Sequence, residues 1–336
     1  METLKLKDDK IGIETAAEIL KNGGIAAIPT ETVYGLAANC FDENAVKSIF
    51  AAKGRPQDNP LIVHISDMEM LDLIARDIPQ IALKCAEKFW PGPFTMVLPK
   101  TEKIGDCISP NLDTVAVRMP KNQVALDIIK KSGVPLAAPS ANTSGSPSPT
   151  SGLHVEKDLD GKIDAIVYSD ECAVGVESTV VSFCEEPPRI LRPGGVTAEQ
   201  LRELIPDIVL DKAVLSEPRK GKKVASPGMR YKHYAPKTDS FLVEGDSDAF
   251  ARLVNGKPDA AAVCFMEDVK KITVPALCYG ESGNEETLAH SVFSALREVD
   301  RLNAKEVYIH APSKKGIGLA VYNRLIRACG FKVIKL

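Results

Sequence analysis

Aromatic side chains supply only 5% of the 336 residues, with a single Trp. Charges break every apolar run well short of the ~18 residues a membrane span needs. The opening METLKLKDDKIGIETA has no apolar core of the kind a signal peptide carries. A cytoplasmic chain with no membrane partner is therefore expected. The eight cysteines form no CxxC pair, which argues against a zinc site or a disulfide framework and for reduced thiols packed as small apolar groups. A surplus of one charge is lacking too: 42 Lys and Arg stand against 45 Asp and Glu, a formal net charge of −3. Any phosphate site must then be local. Walker A, HExxH and GxSxG sequences are missing, and Gly316 and Gly318 are followed by Val321 where a dinucleotide fingerprint has its third glycine. Gly and Pro, at 23 each, are near average, which excludes collagen-like and low-complexity classes.

What is present is a globular chain long enough for about two domains. Residues 1–210 alternate short apolar runs with helical patterns and read as one domain. The run 24–29 is a buried strand. Asp42 caps a helix in which Val46, Ile49, Phe50 and Lys53 share one face, so Lys53 is carried at its C-terminal end. Further strands are expected at 61–65, 94–98, 114–119, 136–138, 163–168, 178–183 and 189–191. Helices are expected over 79–89 and 121–131, and Thr197 with Gln200 makes a capping box. So many strands with so few helices predict a mixed twisted sheet, an α+β variant of the α/β class. The stretch 211–237 breaks the pattern, with eight Lys and Arg against two acidic residues and Pro218, Pro227, Gly228 and Pro236 interrupting it. It reads as a basic linker. Over 238–336, strands near 240–243, 260–264, 274–278, 306–310 and 331–335 alternate with helices near 247–254, 286–300 and 317–329. That alternation predicts a smaller, Rossmann-like α/β domain with a largely parallel sheet.

Chemistry gathers at the strand ends. Lys53-Gly54-Arg55-Pro56, then Asn59-Pro60 and the strand bearing His64, sets two cations one residue apart on a bend fixed by Gly and Pro. An Arg fork beside a Lys point charge suits phosphate oxygens. A solvated basic turn has the same composition, and His64 reads equally as a half-buried strand histidine. The loop 138–148 is dense in hydroxyls, Gly and Pro. It is either an anion-binding nest or a plain turn-rich connection. Pro29-Thr30-Glu31-Thr32-Val33-Tyr34 leaves the first strand at its carboxyl end, where open α/β sheets bind ligands. Arg118, Ser178 and Arg192 mark later strand ends. One sheet can bring all of these around a single pocket.

In this order, PTETVYGL, AAKGRPQDNPLIVHI, FWPGPFTMVL, VAVRMP, APSANTSGSPSPT, ESTVV and LRPGG resemble the YrdC-type domain of the Sua5/YwlC/YrdC family. PGMRYKHYAPK and the α/β domain after it are similar to the long, Sua5-type members, so the likeness covers nearly the whole chain. The resemblance implies a YrdC-like catalytic domain followed by a Sua5-type domain. It also implies a nucleotidyltransferase of tRNA processing, an L-threonylcarbamoyladenylate synthase. Such an enzyme turns L-threonine, bicarbonate and ATP into threonylcarbamoyl-AMP and pyrophosphate. A separate tRNA threonylcarbamoyltransferase complex then passes the group to N6 of adenosine 37 in tRNAs reading codons that begin with A.

Carried onto this sequence, the resemblance assigns Lys53, Arg55, Asn59, Ser140, Asn142, Ser148, Arg192 and Tyr234 to ATP, with Lys53 and Arg55 as the catalytic pair at the α-phosphate. Thr32, His64, Arg118, Ala138 and Ser178 surround L-threonine, with Arg118 facing its carboxylate. Glu31 stands where shorter members commonly have Asp. Mg2+ is expected to arrive with ATP, since no carboxylate cage is visible, and no organic cofactor is expected. Tyr231, His233 and Tyr234 of the linker either fold over the nucleotide as a lid or belong to a flexible tether. Direct tRNA binding should be weak at most, since only the linker is basic. Two other readings are a nucleic-acid module without chemistry and a carbamoyl-adenylating domain like that of hydrogenase-maturation carbamoyltransferases. The latter carry CxxC motifs and an acylphosphatase region that this chain lacks.

Overall fold

A computed structural model describes residues 2–217 and 234–336. The first domain runs β1 (Leu4–Lys7), α1 (Lys10–Lys21), β2 (Ala26–Ile28), β3 (Gly35–Asn39), α2 (Glu43–Lys53), β4 (Ile62–His64), α3 (Met68–Ile74), α4 (Gln80–Phe89), β5 (Phe94–Pro99) and β6 (Thr114–Arg118). It continues with α5 (Gln123–Ser132), β7 (Leu136–Ala137), α6 (Gly152–Leu159), β8 (Ala165–Tyr168), β9 (Thr179–Ser182), β10 (Arg189–Arg192), α7 (Ala198–Arg202) and β11 (Val209–Leu210). The second comprises β12 (Asp239–Glu244), α8 (Ser247–Asn255), β13 (Ala260–Cys264), β14 (Ala276–Cys278), α9 (Glu285–Glu298), β15 (Glu306–His310), α10 (Gly318–Ala328) and β16 (Val333–Lys335).

The first sheet has eleven strands in the order β1-β8-β2-β3-β7-β4-β6-β5-β9-β10-β11. It is mixed, as the many strands and few helices predict: β4 runs parallel to β6, whereas β5 is antiparallel to β6 and β7 to β4. Its central strands are buried on both faces, whereas the edge strand β1 is largely exposed, and helices such as α1 and α2 add Leu20, Val46 and Ile49 to the core. Helix α1 goes unnamed in the sequence reading, although Asp9 caps it and Ile13, Ala16, Ala17 and Leu20 fall on one buried face. The Thr197–Gln200 capping box is formed at the start of α7.

In the second domain every ladder is parallel and the order is β14-β13-β15-β12-β16. The expected largely parallel α/β sheet is what forms. Helix α10 is buried along its whole length, as a helix must be when it is covered by its own sheet on one side and by the first domain on the other. The two domains share one apolar cluster, in which Val33 and Val176 of the first join Leu288, Phe293 and Leu325 of the second. Gly175, at φ 77, permits the approach: a Cβ there would stand 2.4 Å from the Ala289 carbonyl oxygen and the His290 Cα of α9. Arg297 of α9 adds a mostly buried pair with Asp158 at 2.8 Å and donates to the Pro147 carbonyl at 2.5 Å. Within the linker, residues 212–214 form a short 3-10 turn. Tyr231 and His233 lie outside the described residues.

Candidate active site

Helix α2 ends because Gly54 adopts the left-handed conformation at φ 59, closing the helix with hydrogen bonds to Ala51 and Phe50. That turn sends Lys53 inward and starts the Arg55 loop. Lys53 is 2% exposed, and its ammonium donates to the backbone carbonyls of Ser140 and Asn142. In return the Ser144 amide donates to the Lys53 carbonyl at 2.9 Å. The loop after β7 is locked further by Ser140 Oγ donating to Asn142 Oδ1 (2.6 Å) and by Asn142 Nδ2 donating to the carbonyls of Thr143 and Ser146. Burial, and then the neighbouring Arg55 charge, lower the Lys53 pKa well below its ordinary value. Arg55 reaches the Pro60 carbonyl at 3.3 Å.

A second lobe is built from β4, β6 and the loop after β2. Arg118 and His64 are paired neighbours in the parallel ladder. Arg118 donates to Glu31 Oε1 (2.7 Å), Thr32 Oγ1 (2.9 Å) and the Gly92 carbonyl (3.2 Å), which uses three of its five N–H groups. Thr30 Oγ1 lies 2.9 Å from Thr32 Oγ1 and fixes that hydroxyl from the other side. Burial, and then the Arg118 charge, push the His64 pKa down to about 3. The ring is therefore neutral, and its Nδ1, 3.3 Å from the Ile62 carbonyl, is the nitrogen that holds hydrogen.

Between the lobes stand Ser178 and Arg192. Gly194 of the RPGG turn makes this possible, since a Cβ there would lie 2.3 Å from the backbone of Glu177, Ser178 and Thr179. Arg192 donates from Nε and Nη2 to the Ser178 carbonyl and hydroxyl, both at 3.1 Å. Ser178 Oγ in turn lies 2.7 Å from Thr95 Oγ1. Burial, reinforced by the nearby Arg324 charge, lowers the Arg192 pKa to about 10.

The cleft encloses about 770 Å3 of space, part of it open to solvent. Thr32, Lys53, Arg55, His64, Arg118, Ala138, Ser140, Asn142, Ser178, Arg192 and Tyr234 all line it. Two of the residues singled out in the sequence stand behind the wall instead. Ser148 is fully buried and donates to Glu177 Oε1 at 2.7 Å. Asn59 is 2% exposed, and its backbone carbonyl, at 3.5 Å, is the group facing Arg55. Tyr234 is buried at φ 64, a costly conformation for a bulky residue. It is held by the Ala235 amide donating to the Gly145 carbonyl (3.0 Å) and by ring packing on Phe293 of α9 at 5.1 Å.

Sequence reasoning passes over Glu177, which lines the cleft, and Arg324, which stands behind it. Glu177 lies within the ESTVV string, and Arg324 is on α10, 147 positions away. Their contact joins the domains at the cleft, and no local pattern announces a contact of that range. Among the described residues no group of three or more His, Cys, Asp or Glu is placed to hold a metal ion. Glu177 is engaged by Arg324 and Glu31 by Arg118. No helix among the described residues is long and apolar enough to cross a membrane.

Against known proteins, the family described as telomere recombination, comprising Sua5, YciO and YrdC proteins, matches residues 18–194. The family described as threonylcarbamoyl-AMP synthase, C-terminal domain, matches residues 196–330. The threonylcarbamoyl-AMP synthase of Pyrococcus abyssi is 45% identical, over 96% of either chain. That of Bacillus subtilis is 41% identical over 96% of this chain and 94% of its own. Among solved structures, P. abyssi Sua5 complexed with L-threonine superimposes with a TM-score of 0.91 at 41% identity, covering 100% of both chains. Family matches on both sheets, and relatives aligned from end to end, leave one assignment: the chain belongs to the Sua5 family of threonylcarbamoyl-AMP synthases, in its long, two-domain form.

Proposed function

We infer that the chain is a nucleotidyltransferase that joins L-threonine, bicarbonate and MgATP into threonylcarbamoyl-AMP and pyrophosphate. The product is consumed by a separate tRNA threonylcarbamoyltransferase complex. The observation that carries this reading is one cleft with two chemically distinct lobes, a cationic one around Lys53 and Arg55 and one around Thr32, His64 and Arg118, with Arg192 between them. The relative whose structure holds L-threonine supports it, because its fold and length match throughout.

The chemistry begins with bicarbonate giving up hydroxide to become CO2, which the threonine amine captures as a carbamate, the N–H proton and the hydroxide leaving together as water. A carbamate oxygen attacks the α-phosphorus, the bond to the β-phosphate oxygen breaks, and pyrophosphate leaves in line. Such a transfer needs positioning and charge stabilisation more than a protein nucleophile. Lys53 and Arg55 meet the triphosphate and the charge that grows at the α-phosphate. Asn59, Ser140, Asn142, Ser148, Arg192 and Tyr234 shape the nucleotide's seat, Ser148 and Asn59 from behind the wall. The metal would enter as part of the substrate and add positive charge at the triphosphate beside Lys53 and Arg55. Thr32, His64, Ala138 and Ser178 enclose threonine, and Arg118 offers its carboxylate the two N–H groups left over from Glu31, Thr32 and Gly92. His64, neutral and with Nε2 unprotonated, is an acceptor for the substrate's amine or hydroxyl.

The deciding experiment omits tRNA. Purified protein with MgATP and labelled threonine should release pyrophosphate only when both threonine and bicarbonate are present. Turnover with carbamoyl phosphate in place of threonine and bicarbonate, or none with any combination, would overturn the assignment.

A further inference from the structure

Behind the cleft, the second domain contacts Glu177 of the cleft lining. Arg324 of α10 is completely buried, donates from Nε to Glu177 Oε2 at 2.6 Å and from Nη1 to Asn323 Oδ1 at 2.8 Å, and its Nη2 has no hydrogen-bond partner among the described residues. Glu177 lines the cleft, and its other oxygen accepts from Ser148. Between them the two donors occupy both carboxylate oxygens. Arg192 lies next to this pair, close enough that its charge lowers the Glu177 pKa, yet it makes no ion pair within 4.0 Å among the described residues. Its partners are the neutral groups of Ser178. A buried carboxylate needs a cationic partner, because a charge left unpaired away from water is costly. Here the guanidinium it takes comes from the other domain.

We propose that Arg324 is a positioning residue: by saturating Glu177 it keeps the guanidinium of Arg192 available to an anionic group of the substrate in the cleft. The inference rests on the adenylate-forming reading above and gives the second domain a part in it. That domain is not a tether. It supplies the cation that decides which arginine the active-site carboxylate holds. Tyr234 shares the arrangement, its ring lying 6.0 Å from the Arg324 guanidinium carbon and against Phe293. Any movement of α10 that separates Arg324 from Glu177 therefore reaches the nucleotide side of the cleft through two contacts at once.

The test compares full-length wild type, Arg324→Gln, Glu177→Gln and the double variant in the threonine- and bicarbonate-dependent pyrophosphate assay, with KM for MgATP, KM for threonine and kcat measured separately. In Arg324→Gln, Glu177 turns to Arg192, and KM for MgATP should rise about tenfold or more, the scale of one charge-assisted hydrogen bond. The double variant removes both charges, so it is the one expected to keep the fold, and it should return KM for MgATP to within about threefold of wild type. A role confined to holding the domains together predicts something else: the single variant would lose melting temperature with an unchanged KM, and the double variant would bring no kinetic rescue. Either result overturns the proposal. If wild type itself shows no dependence on threonine and bicarbonate, the proposed function fails instead, and that control is read first.

Discussion

Two fully buried cations, Lys53 lining the cleft and Arg324 behind it, are treated in opposite ways. Lys53, on the first domain's wall, is met by the carbonyls of Ser140 and Asn142, and its pKa is driven down by burial and by Arg55. Arg324, contributed by the second domain, also suffers burial, but the Glu177 carboxylate overrides it and its pKa rises. Neutral partners satisfy geometry while leaving the charge uncancelled; a carboxylate cancels it. The first cation thus keeps an electrostatic claim on an anionic ligand, whereas the second spends its charge on holding parts in place. Arg118 repeats the second pattern with Glu31 at 2.7 Å, and Arg192 repeats the first with Ser178.

The strongest way to break this contrast is Lys53→Met, which keeps a long stem and removes the charge. Loss of a buried donor aimed at developing charge costs about 10²–10³-fold in rate. Pyrophosphate release should fall on that scale, and the Ser140 and Asn142 carbonyls lose a donor as well. Near-normal turnover would mean that Lys53 only staples the loop and that the two cations do not differ in kind.

A cation of the paired kind should behave otherwise. Arg118→Met leaves the Glu31 carboxylate, which accepts from Arg118 and from the Lys121 amide, without its counter-charge in a buried setting. Removing one member of such a pair destabilises by about 3–5 kcal/mol. Chemical denaturation should register that loss, and adding Glu31→Gln should recover most of it. KM for threonine should stay raised in the double variant, because the hydroxyl of Thr32 has lost its orienting donor. Full recovery of that KM would reduce Arg118 to a structural pin.

The legibility of this site in the sequence follows the same division. Lys53 and its inward direction are readable because the Asp42 cap, the face shared by Val46, Ile49 and Phe50, and the Gly54 stop are all local signals. The parallel sheet of the second domain is readable for a similar reason, since its strands and helices alternate at regular lengths. Glu177 with Arg324, and Val33 with Phe293, are contacts between distant segments, and nothing in either neighbourhood encodes the other. Ser148 is in the right motif yet behind the wall, because a string of hydroxyls does not say which of them faces inward. The short strand β3 is hidden inside a motif that reads as a loop: PTETVYGL turns at Thr30–Tyr34 and re-enters the sheet at Gly35.

A smaller effect is expected where the domains meet at Tyr234. Tyr234→Leu gives up the ring packing on Phe293 and the contact with Arg324, worth about 1 kcal/mol beyond the lost area. KM for MgATP should rise about threefold to tenfold, by the usual conversion of 1.4 kcal/mol to a factor of ten. Tyr234→Phe, which keeps the ring, should stay closer to wild type in that constant. Equal losses in both variants would place the effect in the hydroxyl and detach it from the second domain.

The smallest effect on turnover concerns His64, which lies beside Arg118 and is neutral. Its pKa of about 3 in the folded protein stands against about 6.5 in an unfolded chain. Below pH 6.5 the unfolded state gains a proton that the folded state refuses, so stability falls as pH drops from 6.5 toward 3, by at most roughly 1.4 kcal/mol per pH unit for one such group. Glu177 adds to the loss only further down. Its carboxyl would be raised by burial but is held at about 2 by the Arg324 and Arg192 charges, so its contribution is complete above about 4.5 and disappears as pH falls toward 2. The window from pH 6.5 to 4.5 is therefore where His64 can be read apart from Glu177. His154, lowered to about 4 by burial and Arg297, titrates in the same direction there. Replacing His64 with Gln should flatten the slope of melting temperature against pH in that window by about half, leaving the His154 share. From pH 7 to 8 the two proteins should show parallel stability curves, and kcat/KM of wild type should show no inflection near 6.5 from this ring. An inflection there that vanishes in His64→Gln would mean that the ring is hydrated rather than buried and the Arg118 charge screened from it, and Arg118 would then no longer be distinguished from a solvent-facing cation.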